Sequence, residues 1–126
     1  MTENRTQPRF ATTNEAGVVT VRCAGDLDLA TTTRLRDVLL SPFRGGAAAV
    51  VADLTETTYC DSTVFSVLVE SYREARAHDI PFAIAAAEIA VARPWAILGL
   101  DRVLPLHADL AAAHAAITGA TATRVS

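Results

Sequence analysis

The sequence predicts one α/β domain, a mixed and mostly parallel sheet of four to five strands packed by about four helices. Three observations point there. Segments of strand-like and helix-like pattern follow one another in the order β-β-α-β-α-β-α-β-α, which requires right-handed crossovers between parallel strands after one antiparallel pair. The run Ala49-Val50-Val51-Ala52 is continuously apolar, as a strand covered on both faces must be. The chain has 126 residues, 51% apolar and 6% aromatic, enough for one core built mainly from Val, Leu, Ile and Ala and too short for two. Helices are expected mainly on one face of the sheet, although periodicity does not settle this.

Each element has its own signal. Residues 1–8 are polar and aperiodic and read as a disordered tail, followed by a domain over residues 9–118. Arg9 to Thr13 is a weak edge strand. Glu15-Ala16-Gly17 turns the chain into a hairpin partner, where Val19, Val21 and Cys23 alternate with Thr20 and Arg22. After Gly25-Asp26-Leu27-Asp28 comes a short helix from Thr32 to Leu40, with Leu35, Val38 and Leu39 on one face and Pro42 and Gly45-Gly46 as its stop. The next helix, Val64 to His78, presents Phe65, Leu68, Tyr72 and Ala75 to the core, with Glu70, Arg73, Glu74 and Arg76 solvated and Glu70 set to pair with Arg73. Pro81 to Ala86 is a buried strand. Ile89 to Leu98 is helical and ends at Gly99. Val103 to Leu106 is a short strand. Asp109 to Ile117 is the last helix, with Leu110, Ala113, His114 and Ile117 on one face and a flexible tail over residues 119–126.

Composition excludes several functions. A net charge of −3 argues against nucleic acid as a direct partner. No apolar run approaches the ~20 residues of a membrane span. Cys23 and Cys60 form no C-x-x-C pair and no leader is recognisable, so a reducing, cytoplasmic setting is expected. The three histidines are scattered and no ligand cluster is legible, so no metal is expected. Gly45-Gly46 lacks the Lys and Ser/Thr of a phosphate-binding loop.

Tyr59-Cys60-Asp61-Ser62-Thr63 is the most informative stretch. It stands between an apolar run and a helical run, so Ser62 falls at a strand-to-helix junction, where free N–H groups and the helix dipole favour anions. Asp61 beside it would repel a phosphate, and a serine between these influences can act as an electrostatic switch. The plainer role is capping, which Asp, Ser and Thr all perform. On these five residues alone, capping is the favoured role.

The chain also resembles a known family. From about Val18 to Ile117 it is similar to the STAS domain, in particular to bacterial anti-sigma factor antagonists. Gly25-Asp26-Leu27-Asp28 resembles that family's Gly-Glu-Leu-Asp, and Val51-Ala52-Asp53-Leu54 its strand ending in Asp-Leu. Asp61-Ser62-Thr63 resembles its phosphorylation motif, Asp-Ser-Ser/Thr-Gly, and Leu98 to Val103 its Gly-Leu segment before the last strand. The resemblance implies a STAS-like fold and a non-enzymatic regulator without a cofactor. It would act by partner switching: the unphosphorylated antagonist binds an anti-sigma factor that is also a serine kinase, phosphorylation of Ser62 blocks binding, and a serine phosphatase resets the cycle. Asp26, Asp28, Asp61, Ser62, Thr63 and Val64 are the implied partner-binding residues, on a monomer or weak dimer.

Two positions depart from the family pattern. Val64 stands where the motif has glycine; if it projects toward the partner it should slow phosphorylation, which favours a non-phosphorylated STAS scaffold or complex subunit. Pro94 falls inside the third helix, which should kink or start late. Asp26 and Asp28 also read as strand-end and turn carboxylates, expected to diverge and so to make a poor ligand pair. Cys60 reads as a buried strand-end cysteine, and Trp95 as a core anchor or a partner contact. A small serine hydrolase would need a histidine near Ser62; His78 is a helix length away and His107 follows the last strand.

Overall fold

The computed structural model of the protein describes residues 7–125, and side chains for residues 7–119. The expected tail at residues 1–8 lies outside the described residues except for its last two, and Ser126 lies outside them as well. Along the chain run β1 (Arg9–Glu15), β2 (Val18–Leu27), a 3-10 turn (Leu29–Thr31), α1 (Thr32–Arg44), β3 (Ala49–Leu54), β4 (Thr57–Cys60) and α2 (Ser62–His78). They continue with β5 (Phe82–Ala86), α3 (Ile89–Ile97), a second 3-10 turn (Leu100–Arg102), β6 (Leu106–His107) and α4 (Leu110–Val125). The sheet has the order β1-β2-β3-β5-β6, with β4 paired to β2, and every pairing but β1–β2 is parallel.

The predicted α/β order therefore forms, with one strand more than expected. The hairpin between β1 and β2 turns at Ala16 (φ 54°) and Gly17 (φ 87°), two left-handed positions whose twist matches that of the flanking strands. The β3 alternation explains its continuous apolar run. Val50, Ala52 and Leu54 point toward α1 and α2, while Ala49 and Val51 join Ala83, Ala85, Ala113 and Ile117 under α4. Small side chains on that face let α4 come close. α1, α2 and α3 thus pack on the main core and α4 alone covers the opposite face, which refines the expectation of helices mainly on one side.

Several local expectations are corrected. α1 continues through Pro42 to Arg44, because Phe43, 1% exposed, stacks edge-on against Phe82 at 5.5 Å and its burial offsets the lost helix bond. Glu70 bonds Arg36 on α1 rather than Arg73; the guanidinium fork meets the carboxylate with both nitrogens, one at 2.8 Å, and ties α1 to α2. Ser71, not Tyr72, is the fully buried residue on that turn of α2, its hydroxyl donating to the Val67 carbonyl at 2.9 Å. α3 starts at Ile89 and keeps Pro94 inside, so it does not start late. β6 is Leu106–His107 rather than Val103 to Leu106: the second 3-10 turn takes up the Val103 N–H, and Pro105 has none to give a ladder. α4 runs on through Gly119 to Val125, past the expected end at Ile117.

Gly25 marks a close crossing of the backbone. Its φ is +91°, and a Cβ there would lie 2.4 Å from the Gln7 carbonyl oxygen and 3.2 Å from Pro8 Cα. The residue lets the incoming chain cross β2 at the point where β2 changes partner. Gly25→Ala is expected to lower stability by about 2 kcal/mol, from left-handed strain plus backbone displacement. Urea unfolding checks this, and a loss below about 0.5 kcal/mol would mean the crossing is not tight.

Candidate functional site

β2 pairs with β3 over Val18 to Arg22, then with β4 over Gly25 to Leu27, with a register shift between Gly25 and Asp26. The switch sets the carboxyl end of β2 beside that of β4, and the Asp61 N–H donates to the Leu27 carbonyl at 3.3 Å. Two chain ends therefore leave the sheet side by side. One enters the first 3-10 turn and the other enters α2. Sequence periodicity did not find β4, since Thr57-Thr58-Tyr59 carries no apolar alternation; only its pairing with β2 makes it a strand.

Asp61 is the N-cap of α2. Its Oδ1 accepts from the N–H groups of Thr63 at 3.0 Å and Val64 at 3.4 Å, and from the Thr63 hydroxyl. Its Oδ2 accepts from the Leu29 N–H at 3.0 Å. One carboxylate thus holds the starts of both helical segments. Burial pushes this carboxyl up, but the Thr63 hydroxyl and the N–H groups of Val64, Thr63 and Leu29 outweigh it, leaving the group below the usual aspartate range. Because the folded value is depressed, the stabilisation is present above the unfolded aspartate value of ~3.9 and is lost as pH falls below it. Asp61→Asn is expected to lose about 1 kcal/mol at neutral pH, with wild-type and variant stabilities converging below pH ~4. Denaturant midpoints across pH test this; a difference that grows in acid would reverse the sign.

Asp61 also decides the role of its neighbour. Ser62 is the first helical residue, exposed, and its hydroxyl bonds none of the described residues. Capping, the role favoured on sequence, belongs to Asp61, and the serine is left available. The expectation that free N–H groups there welcome an anion is corrected too: those of Thr63 and Val64 are already engaged by Asp61. Thr63 is half-buried. Val64 is 0% exposed and lies in the main core, so its side chain cannot reach a partner, and its place among the partner-binding residues is corrected. The third position of a capped helix faces inward here because α2 lies on the sheet.

Asp26 and Asp28 do not diverge as expected, since residues two apart on extended backbone share a side. Each is engaged locally: Asp26 accepts from the Thr58 hydroxyl, and Asp28 caps the first 3-10 turn, accepting from Ala30 N–H at 3.0 Å while its own N–H donates to Thr31 Oγ1 at 3.0 Å. Among the described residues no three His, Cys, Asp or Glu side chains gather to hold a metal, and no helix is long and apolar enough to cross a membrane. Sequence reasoning missed Leu29 and Tyr59, exposed apolar side chains at 70% and 47%. Leu29 is tied to the serine junction through Asp61, and Tyr59 lies three residues before Ser62 on β4.

Among the described residues no histidine stands beside Ser62. His78 pairs with Glu74 at 3.3 Å, sixteen residues and roughly 24 Å along α2. His107 lines a cavity of about 360 Å³ with Tyr72, Arg76 and Ile80 at that same far end, and His114 bonds Thr20 at 3.1 Å under α4. Both thiols are buried, and burial above all pushes Cys23 and Cys60 up to about 12, with the Asp61 carboxylate adding to Cys60. They are protonated and unreactive at neutral pH. Trp95 is 1% exposed; its indole donates to the Leu104 carbonyl at 2.9 Å and meets Phe65 edge-on at 5.3 Å. It is a core anchor.

Comparison with known proteins comes to the same architecture. The STAS domain family matches residues 9–113. Among solved structures, an anti-sigma factor antagonist from Mycobacterium paratuberculosis is similar at 23% identity and a TM-score of 0.80, covering 89% of this chain and 95% of its own. RsbS from Moorella thermoacetica, solved with a serine-to-glutamate change, is similar at 21% identity and 0.70, covering 93% and 97%. The Bacillus cell fate determinant SpoIIAA in its phosphorylated form is similar at 17% identity and 0.62, covering 75% and 86%. At these identities the likeness shows the fold. No curated protein matches the sequence.

Proposed function

This chain belongs to the STAS domain family, and on that premise we propose that it is an anti-sigma factor antagonist, switched between partners by phosphorylation of Ser62. The observation that carries the reading is the serine itself. It is exposed at the start of α2 with a hydroxyl that bonds none of the described residues, while Asp61 performs the capping. A kinase loop can reach that hydroxyl without breaking the fold. Solved relatives in phosphorylated and serine-to-glutamate forms support the same reading.

The physical switch is local. A phosphate carries about −1.5 to −2 charges at neutral pH. Next to it stands an ionised Asp61 whose oxygens hold the N–H groups of Thr63, Val64 and Leu29. The phosphate repels that carboxylate and competes for the same donors, which loosens the link from α2 to the first 3-10 turn. The surface a partner meets is Asp26, Asp28, Asp61, Ser62 and Thr63, with Leu29 and Tyr59 as its apolar part. The partner is an anti-sigma factor with serine kinase activity, which brings its own ATP and magnesium; a serine phosphatase restores the hydroxyl, and the setting is the cytoplasm. The scaffold alternative drew on Val64 projecting outward, and burial of that side chain removes its support.

Titration calorimetry against the kinase recovered by pull-down tests this. Ser62→Ala should bind about as well as wild type, and the Ser62-phosphorylated chain should bind at least ~30-fold more weakly, the equivalent of ~2 kcal/mol. Equal affinity of the phosphorylated and unphosphorylated chains would sink the proposal.

A further inference from the structure

Among the described residues β1 is an edge of the sheet, paired with β2 alone. Edge strands are usually blunted by a lysine, a proline or a bulge within the strand. β1 has none of these: its register with β2 is continuous from Arg9 to Glu15, and its only charges stand at its two ends. Six of its seven residues are exposed. Among the described residues neither Arg9 nor Glu15 has an ion-pair partner.

The sequence of this edge is complementary to itself. In an antiparallel pairing of two copies centred on Thr12, Arg9 falls opposite Glu15, Phe10 opposite Asn14, and Ala11 opposite Thr13. The two Arg–Glu pairs are equivalent by symmetry, as an isologous contact requires. Backbone direction agrees. Ala16 and Gly17 form a two-residue loop, so Glu15 and Val18 are a hydrogen-bonded pair, and the N–H and C=O groups of Glu15, Thr13, Ala11 and Arg9 point toward β2. Those of Asn14, Thr12 and Phe10 therefore point outward. Thr12 to Thr12 and the two Phe10–Asn14 positions then become hydrogen-bonded pairs, and Arg9–Glu15 falls at a non-hydrogen-bonded position, where opposite side chains come closest. Faces agree as well. Phe10 turns toward α1, where the Arg34 guanidinium lies 4.8 Å over its ring, so Arg9 and Glu15 share the other face. Parallel pairing in register would set Arg9 on Arg9 and Glu15 on Glu15, and any antiparallel shift separates the charges.

We propose that two copies of this chain pair β1 to β1, antiparallel about a two-fold axis through Thr12, so that their sheets become one continuous sheet. The partner is a second copy and not a foreign peptide, because the edge supplies both halves of its own charge pattern. The contact is independent of Ser62.

Sedimentation equilibrium of the full chain at low salt tests this, with dimer expected and weakened by added salt. Glu15→Arg alone and Arg9→Glu alone should each weaken self-association by roughly tenfold, since two attractive cross-strand pairs become two repulsive ones. Mixed together, the two variants should form a heterodimer, because every cross-strand charge pair is again opposite in sign. Thr12→Pro removes only an outward N–H, so it should keep its circular dichroism and lose the dimer. A single 13.3 kDa species at every concentration would overturn the proposal. So would a dimer indifferent to both charge reversals and to the proline.

Discussion

Trp95→Ala is expected to lower stability by about 3–5 kcal/mol, a large share of the ~5–15 kcal/mol that holds a domain of this size. The side chain is 1% exposed and joins α3 to the rest of the core through Phe65, at 5.3 Å and nearly perpendicular. Its indole is also the donor for the buried Leu104 carbonyl, so truncation leaves a cavity and an unsatisfied acceptor together. Trp95→Phe keeps much of the volume and loses the donor, so the difference between the two variants separates packing from hydrogen bonding. Urea unfolding followed by far-ultraviolet circular dichroism measures both. A loss under about 1 kcal/mol for the alanine variant would mean that α3 is held by other contacts.

Val64→Gly is expected to lose about 2–4 kcal/mol, from burial of the isopropyl group and from the entropy of glycine in a helix. The same substitution should leave the rate of Ser62 phosphorylation unchanged in protein that remains folded, since Val64 is 0% exposed and stands between the serine and the sheet rather than between the serine and a kinase. A kinase assay with labelled ATP, run below the unfolding midpoint, separates the two effects. A faster rate with undiminished stability would place the side chain at the partner surface. Ser62 is exposed, and the residue two places on belongs to the core.

The architecture was legible because its signals are local and strong. A continuous apolar β-branched run, helical periodicity with a stop at Gly99, and a turn at Ala16-Gly17 each constrain a short segment without reference to the others. The misses share a cause. β4 has no alternation of its own and exists through pairing with β2. Pro42 ends a helix by its intrinsic chemistry, yet burial of Phe43 carries α1 one turn further. Glu70 has Arg73 close by in sequence and Arg36 close by in space, and the bidentate partner prevails. In each case a contact far along the chain outweighed a local preference, from a few tenths of a kcal/mol for the Glu70–Arg73 spacing to about 3 kcal/mol for Pro42.

The candidate site divides along the same line. Sequence by itself determined that a serine flanked by an aspartate and a threonine stands at a strand-to-helix junction, because hydrophobic pattern sets where elements begin. It could not say which of three capping residues caps, nor whether Val64 looks outward, since Asp, Ser and Thr offer equivalent oxygens and a helix can be rotated by one residue at little local cost. Tertiary structure decided both. The exit of β2 beside β4 brought the Leu29 N–H within 3.0 Å of Asp61, which gave that carboxylate donors on two segments and made it the cap. Docking of α2 on the sheet then turned Val64 inward and left the Ser62 hydroxyl in solvent, because a helix has one orientation that buries its apolar stripe.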